Sequence, residues 1–184
     1  MTNTIPYEIT GRRGDIEFRS YPDLILATVE SSEDSGFNIL FAFISGKNKT
    51  QKKISMTSPV ITSSKIAMTA PVFSDKKSMS FVMPPGKRME EIPLPLDSRV
   101  HITELPGREV AIIRFNGYAR EKETAEMELK LNQELKETGT ETKGETFLMR
   151  YNPPWIPGFM RHNEIGIEIL RHNSQNSEIN HPKK

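Results

Sequence analysis

Residues 53–60 read KISMTSPV and residues 65–72 read KIAMTAPV, so the chain writes nearly the same octet twice. Six of the eight positions match, and both differences exchange serine for alanine. The first half of each octet alternates apolar and polar residues, with Ile54 and Met56 in one copy and Ile66 and Met68 in the other. That period of two belongs to a strand with one buried face. Each octet ends in Pro-Val, and a proline pushes the residue before it to an extended backbone. Because proline donates nothing to a ladder, Pro59 and Pro71 are expected at strand ends, bulges or edges. The doubled octet thus predicts two strands of similar environment in a sheet-built fold.

The pattern continues on either side. Residues 7–19 (YEITGRRGDIEFR) alternate about the glycines at 11 and 14, as a hairpin does, and residues 24–30 (LILATVE) read as a mostly buried strand. SSED at 31–34 offers a cap with acids in the first turn and Gly46 a stop, which predicts a helix over 33–45. Phe37, Leu40, Phe41 and Ile44 fill one stripe of it, yet Ile39 and Phe43 outside that stripe are equally apolar. A helix laid on a sheet needs only one apolar face. Residues 78–85 give another strand, 90–97 a proline-containing loop, and 99–107 with 109–116 a hairpin turned at Pro106 and Gly107. A second helix is predicted over 119–138, with Thr124, Met127, Leu131 and Leu135 on one stripe and Glu126 and Lys130 in the favourable i,i+4 order. A strand at 146–151, a proline-rich loop (NPPWIPGFMR) at 152–161 and a strand at 164–170 complete one domain over 1–171, before a polar tail at 172–184.

Two stretches, about 7–85 and 99–171, share one order of parts: a hairpin turned at proline, a helix, then strands. Such units pair into a barrel-like antiparallel sheet with the helices outside, an α+β arrangement. The net charge of +1 on 184 residues argues against a nucleic-acid binder. The absence of cysteine removes disulfides and thiolate ligation and suits a reducing cytoplasm. No window approaches the ~20 apolar residues of a membrane-spanning helix, and no secretory signal is read at the start of the chain. A soluble cytoplasmic protein is expected.

KIAMTAPV at 65–72, SMSFVMP at 78–84, RYNPPWIPGFMRHNE at 150–164, FNGY at 115–118 and the Phe-rich first helix together resemble the SOUL haem-binding protein family over about residues 7–170. The resemblance implies a distorted antiparallel β-barrel built from two pseudo-symmetric halves and flanked by two α-helices. It also implies haem or a related tetrapyrrole as cofactor, in a hydrophobic cleft between the first helix and the loop before the last strand. The matching positions here are Ile39, Ala42 and Phe43 on the helix and Trp155, Ile156, Phe159 and Met160 on the loop. The alternative for the same residues is architectural, with Trp155 and Phe159 closing the end of the barrel.

No metal ligand stands out. His172 and His181 lie on the polar tail, His101 alternates with Val100 and Ile102, and His162 stands where the family pattern more often shows arginine. Methionines such as Met56 and Met68 in an alternating strand are usually core. Thr57 and Thr69 are expected to bond across strands, and Arg150 and Arg161 to pair with Glu164 or clamp a propionate. No GxSxG elbow, glycine-rich phosphate loop or HExxH helix occurs. The expectation is therefore a non-enzymatic haem-binding protein. The alternative is a module that uses the first helix to engage a protein partner, a membrane surface or another apolar molecule; the two-half barrel also looks like the gyrase-inhibitor-like ligand-binding domains.

Overall fold

The computed structural model describes residues 3–31, 33–63, 78–152 and 156–170. The second octet, Trp155, His172 and His181 lie outside the described residues. The strands are β1 (Asn3–Thr4), β2 (Glu8–Arg13), β3 (Ile16–Tyr21), β4 (Leu24–Glu30), β5 (Thr57–Ser63), β6 (Ser78–Val82), β7 (His101–Leu105), β8 (Arg108–Asn116), β9 (Thr142–Arg150) and β10 (His162–Ile169). Helix α1 is Glu33–Ile44 and α2 is Glu121–Glu137.

Nine strands follow one path in the order β2-β3-β8-β10-β9-β5-β6-β4-β7, and β1 pairs in parallel with β5. The pairs along the path are antiparallel. The path does not close into a barrel; β2 and β7 are its ends. It is strongly curled, however. Tyr21 of β3 and Leu105 of β7 belong to one apolar cluster, although a flat sheet at ~4.8 Å per strand holds those strands about 34 Å apart. Asp23 Oδ1 accepts the Gly107 N–H at 2.7 Å where the two ends approach. From β3 to β7 the order is unchanged on reversal if β3, β4, β5 and β6 are exchanged for β7, β8, β9 and β10. This is an equivalence of strand order; superposable halves remain an expectation.

The two helices cover one face of the sheet. Leu40, Phe43 and Ile44 of α1 pack on Ala27, Val29, Met79 and Phe81, and Leu131 and Leu135 of α2 pack on Phe18, Ala111, Ile113 and Ile165. The opposite face encloses Leu26, Ile61, Val82, Val110, Ile112, Phe147 and Met149. Alternation along β4 explains both clusters: Leu24 and Leu26 face inward, while Ala27 and Val29 face α1.

The first octet is a strand only in its second half. β5 starts at Thr57 and runs to Ser63, whereas residues 51–56 join no ladder. Ile54 donates its N–H to the Ile44 carbonyl at 2.8 Å, which ties this segment to the end of α1 instead. Pro59 lies in the register shift between Thr57 and Val60, where a missing donor disturbs least. The Thr57 hydroxyl is buried and has no hydrogen-bond partner among the described residues, contrary to the expected cross-strand bond.

Candidate functional site

Helix α1 ends in a Schellman motif. Gly46, at φ 112°, donates to the Phe43 carbonyl at 3.2 Å, and Lys47 donates to the Ala42 carbonyl at 3.0 Å. The chain then turns around Asn48, which is fully buried. Its Nδ2 donates to the carbonyls of Phe43 at 3.1 Å and Lys52 at 2.7 Å. Its Oδ1 accepts the N–H groups of Thr50 and Lys52, each at 3.2 Å, and the Thr50 hydroxyl at 3.0 Å. One side chain thus satisfies most of a tight loop's backbone. Asn48 also forms an antiparallel bridge with Pro95, and the Lys49 N–H bonds the Leu94 carbonyl at 2.9 Å. These contacts hold residues 92–100 beside α1, with Ile92 and Val100 buried as anchors.

Between helix and loop lies a cleft of about 660 Å³. Asn38, Ile39, Ala42, Phe43 and Lys47 form one wall and residues 95–100 the other. Phe43 is core, at 2% exposure, and Ile39 is partly buried against the same cluster. The surplus apolar side of α1 is therefore the inner wall of a cleft and not a bare patch. At the mouth, Asp97 and Arg99 pair at 2.7 Å. The described lining contains no histidine, methionine or tyrosine.

The other expected residues lie elsewhere. Ile156 is half-buried, and its carbonyl accepts Arg161 Nε at 2.8 Å. Phe159 and Met160 are 78% and 63% exposed. Their loop rests on Tyr118: a Cβ built on Gly158 falls 2.0 Å from the Tyr118 ring, so only glycine permits that approach. Among the described residues, none of 156–160 lines the α1 cleft. The structure brings Ile39, Ala42 and Phe43 together and leaves Ile156, Phe159 and Met160 outside the cleft they form.

A second polar constellation sits inside the curl. Arg19 is fully buried and forks onto Glu164, itself 1% exposed, with Nη1 to Oε2 at 2.8 Å and Nη2 to Oε1 at 2.9 Å. Arg114 Nε reaches Oε1 at 2.9 Å, the Tyr151 hydroxyl donates to Oε2 at 2.6 Å, and His162 Nε2 lies 3.2 Å from Oε1. Burial works against the Glu164 charge, but hydrogen bonds from His162, Arg19 and Tyr151 outweigh it and hold the carboxyl down to about 2. Burial and the adjacent Glu164 charge push the Tyr151 phenol well up. With its acceptor positions filled, Glu164 has no capacity left to take a proton from a substrate. The expected partners do other work: Arg150 bonds the Thr62 hydroxyl at 2.8 Å and Arg161 the Ile156 carbonyl. Asn163 donates to the Gly117 carbonyl at 2.9 Å, and His101 is exposed on β7. Among the described residues, no three His, Asp or Glu side chains gather in a way that could hold a metal ion, and no helix is long and apolar enough to cross a membrane.

The curled antiparallel sheet with two helices on one face is a shared architecture. The C-terminal domain of EcmrR matches it with a TM-score of 0.58 at 9% identity, over 90% of this chain and 99% of that one. A hydrolase from Listeria innocua matches with a TM-score of 0.54 at 11% identity, over 88% and 94%. At such identities only the fold is shared. The chain belongs to the SOUL heme-binding protein family, whose model it matches over residues 2–168. It is 27% identical to Heme-binding protein 2 of Homo sapiens over 170 residues, covering 88% of this chain and 82% of that protein.

Proposed function

We propose that the chain binds haem or a related tetrapyrrole in the cleft between α1 and residues 95–100, and that it does so without catalysing a reaction. Family membership supports the ligand, and the supporting observation in the structure is the cleft itself. Its volume of about 660 Å³ lies within the ~300–1,000 Å³ of ordinary small-ligand sites. Ile39, Ala42, Phe43, Leu96 and Val100 offer an apolar slot for a flat ring system, and Lys47 and Arg99 stand at the rim where carboxylates would lie. Such groups fit a porphyrin held by its faces and propionates, with no iron ligand from the described lining. Bound haem supplies iron chemistry; the chain's residues exclude water and orient the ring. The loop residues Trp155, Ile156, Phe159 and Met160, expected from the resemblance, are the alternative position for the ligand, separable from the cleft by mutation. A cytoplasmic carrier, buffer or sensor role is part of the same reading.

The test is a haemin titration followed at the Soret band, with Ile39→Asp and Phe159→Ala beside the parent chain. A saturable 1:1 transition, weakened at least about tenfold by Ile39→Asp, the scale of placing a charge where apolar contact was, supports the cleft. Nonsaturating absorption changes, equal in all three proteins, reject haem as the ligand. Weakening by Phe159→Ala alone moves the site to the loop.

A further inference from the structure

The overall charge of +1 conceals a local excess. Residues 35–74 contain five lysines and no Asp or Glu. Four of the five, Lys47, Lys49, Lys52 and Lys53, fall in the turn that Asn48 organises. All four are exposed, and among the described residues none takes part in an ion pair. Asn48 fixes the backbone at Lys52, and the Lys47 and Lys49 N–H groups bond the Ala42 and Leu94 carbonyls, so the four lysines leave one ordered turn.

Beside them stand Leu94 and Leu96, at 59% and 65% exposure. The Lys49 to Leu94 backbone bond and the Asn48–Pro95 bridge tie the two segments directly. Leu96 and Lys47 border the same cleft. Leu94 and Leu96 flank Pro95, the residue bridged to Asn48, and are left exposed while Ile92 and Val100 on either side are buried. Exposed apolar side chains bordered by unpaired lysines are complementary to a surface whose interior is hydrocarbon and whose headgroups are anionic.

We propose that the 47–53 turn and the Leu94–Leu96 tip together form a docking surface for an anionic lipid bilayer, with the leucines entering the interface and the lysines on the headgroups. The cleft mouth lies at this edge, so a lipophilic ligand dissolved in a membrane meets the cleft without crossing open water. Docking itself does not depend on which ligand the cleft takes, and it is tested on the ligand-free chain.

The experiment is vesicle sedimentation of the full chain with phosphatidylcholine alone and with phosphatidylcholine containing phosphatidylserine, at low and physiological salt. The surface predicts binding to the anionic vesicles that falls as salt rises. Lys49→Gln with Lys53→Gln lowers it about twenty-five-fold, at roughly fivefold per lysine near an anionic surface. Leu94→Asp with Leu96→Asp, at exposed positions that fold without them, abolishes it, and Lys122→Gln on α2 leaves it unchanged. No vesicle binding, equal binding to both vesicle types, or anionic binding indifferent to the leucine changes overturns the proposal; in the first case an acidic protein partner takes the lipid's place.

Discussion

Glu164 joins Arg19, Arg114, Tyr151 and His162 in one polar cluster inside the curl. Replacing it with Gln removes one of the two carboxylates on the fully buried Arg19 guanidinium and leaves only Glu17, 2.6 Å from Nη2, as counter-charge; breaking one side of a buried pair costs up to about 3–5 kcal/mol. Urea unfolding of Glu164→Gln near neutral pH is expected to show that loss. The pH dependence has a definite sign. Because the folded-state carboxyl is held down to about 2 from an ordinary 4.5, its contribution is present in full above about 4.5 and disappears as pH falls from there through about 2. The stability difference between parent and Glu164→Gln therefore narrows across that acid window and stays constant above it. The sequence offers Arg150 and Arg161 as partners of Glu164 or as propionate clamps; the carboxylate is held instead by Arg19, Arg114, Tyr151 and His162. Arg19 is 145 positions away and meets Glu164 only inside the folded sheet, a contact that no local pattern encodes.

At the scale of elements, what could be read was whatever carried a period and a stop. The helices expected over 33–45 and 119–138 are Glu33–Ile44 and Glu121–Glu137, each ended by a glycine at positive φ, Gly46 and Gly139. The strand expected over 146–151 runs from Thr142, because residues 142–145 are exposed and pair with the end of β10 without any apolar alternation. The octet misled in its first half, where Ile54 and Met56 alternate but pack beneath α1 as irregular chain. The Asn48 turn had no expected role at all, since a single asparagine shows its importance only when its five hydrogen bonds are seen together. Asn48→Ala leaves the N–H groups of Thr50 and Lys52 and the Phe43 and Lys52 carbonyls short of their partner. A loss of about 2–3 kcal/mol is expected, from the cost of unsatisfied buried groups. Hydrogen exchange should rise at residues 47–53 in that variant and stay unchanged in α2.

For the whole molecule, the α+β class, the antiparallel curl and the two covering helices were legible, because alternation and helical stripes specify which faces are buried. Open ends in place of a closed barrel were not, since closure depends on long-range pairing at β2 and β7. The helix part of the expected site is assembled as a cleft wall. Its opposite wall is residues 95–100, which the sequence divides between a proline-containing loop at 90–97 and a strand from Arg99, whereas β7 starts only at His101. The curl places α1 and the 156–160 loop on different strands of the path, α1 over β4 and β6 and the loop at the start of β10.

The most direct measurement of where the ligand sits is an NMR titration of methyl-labelled chain with haemin, whose paramagnetic iron broadens nearby resonances. Binding in the cleft predicts selective broadening of the Ile39, Ala42 and Leu96 methyls, with Met160 and the buried Leu131 unaffected. Broadening centred on Met160, or spread evenly over exposed methyls, contradicts it.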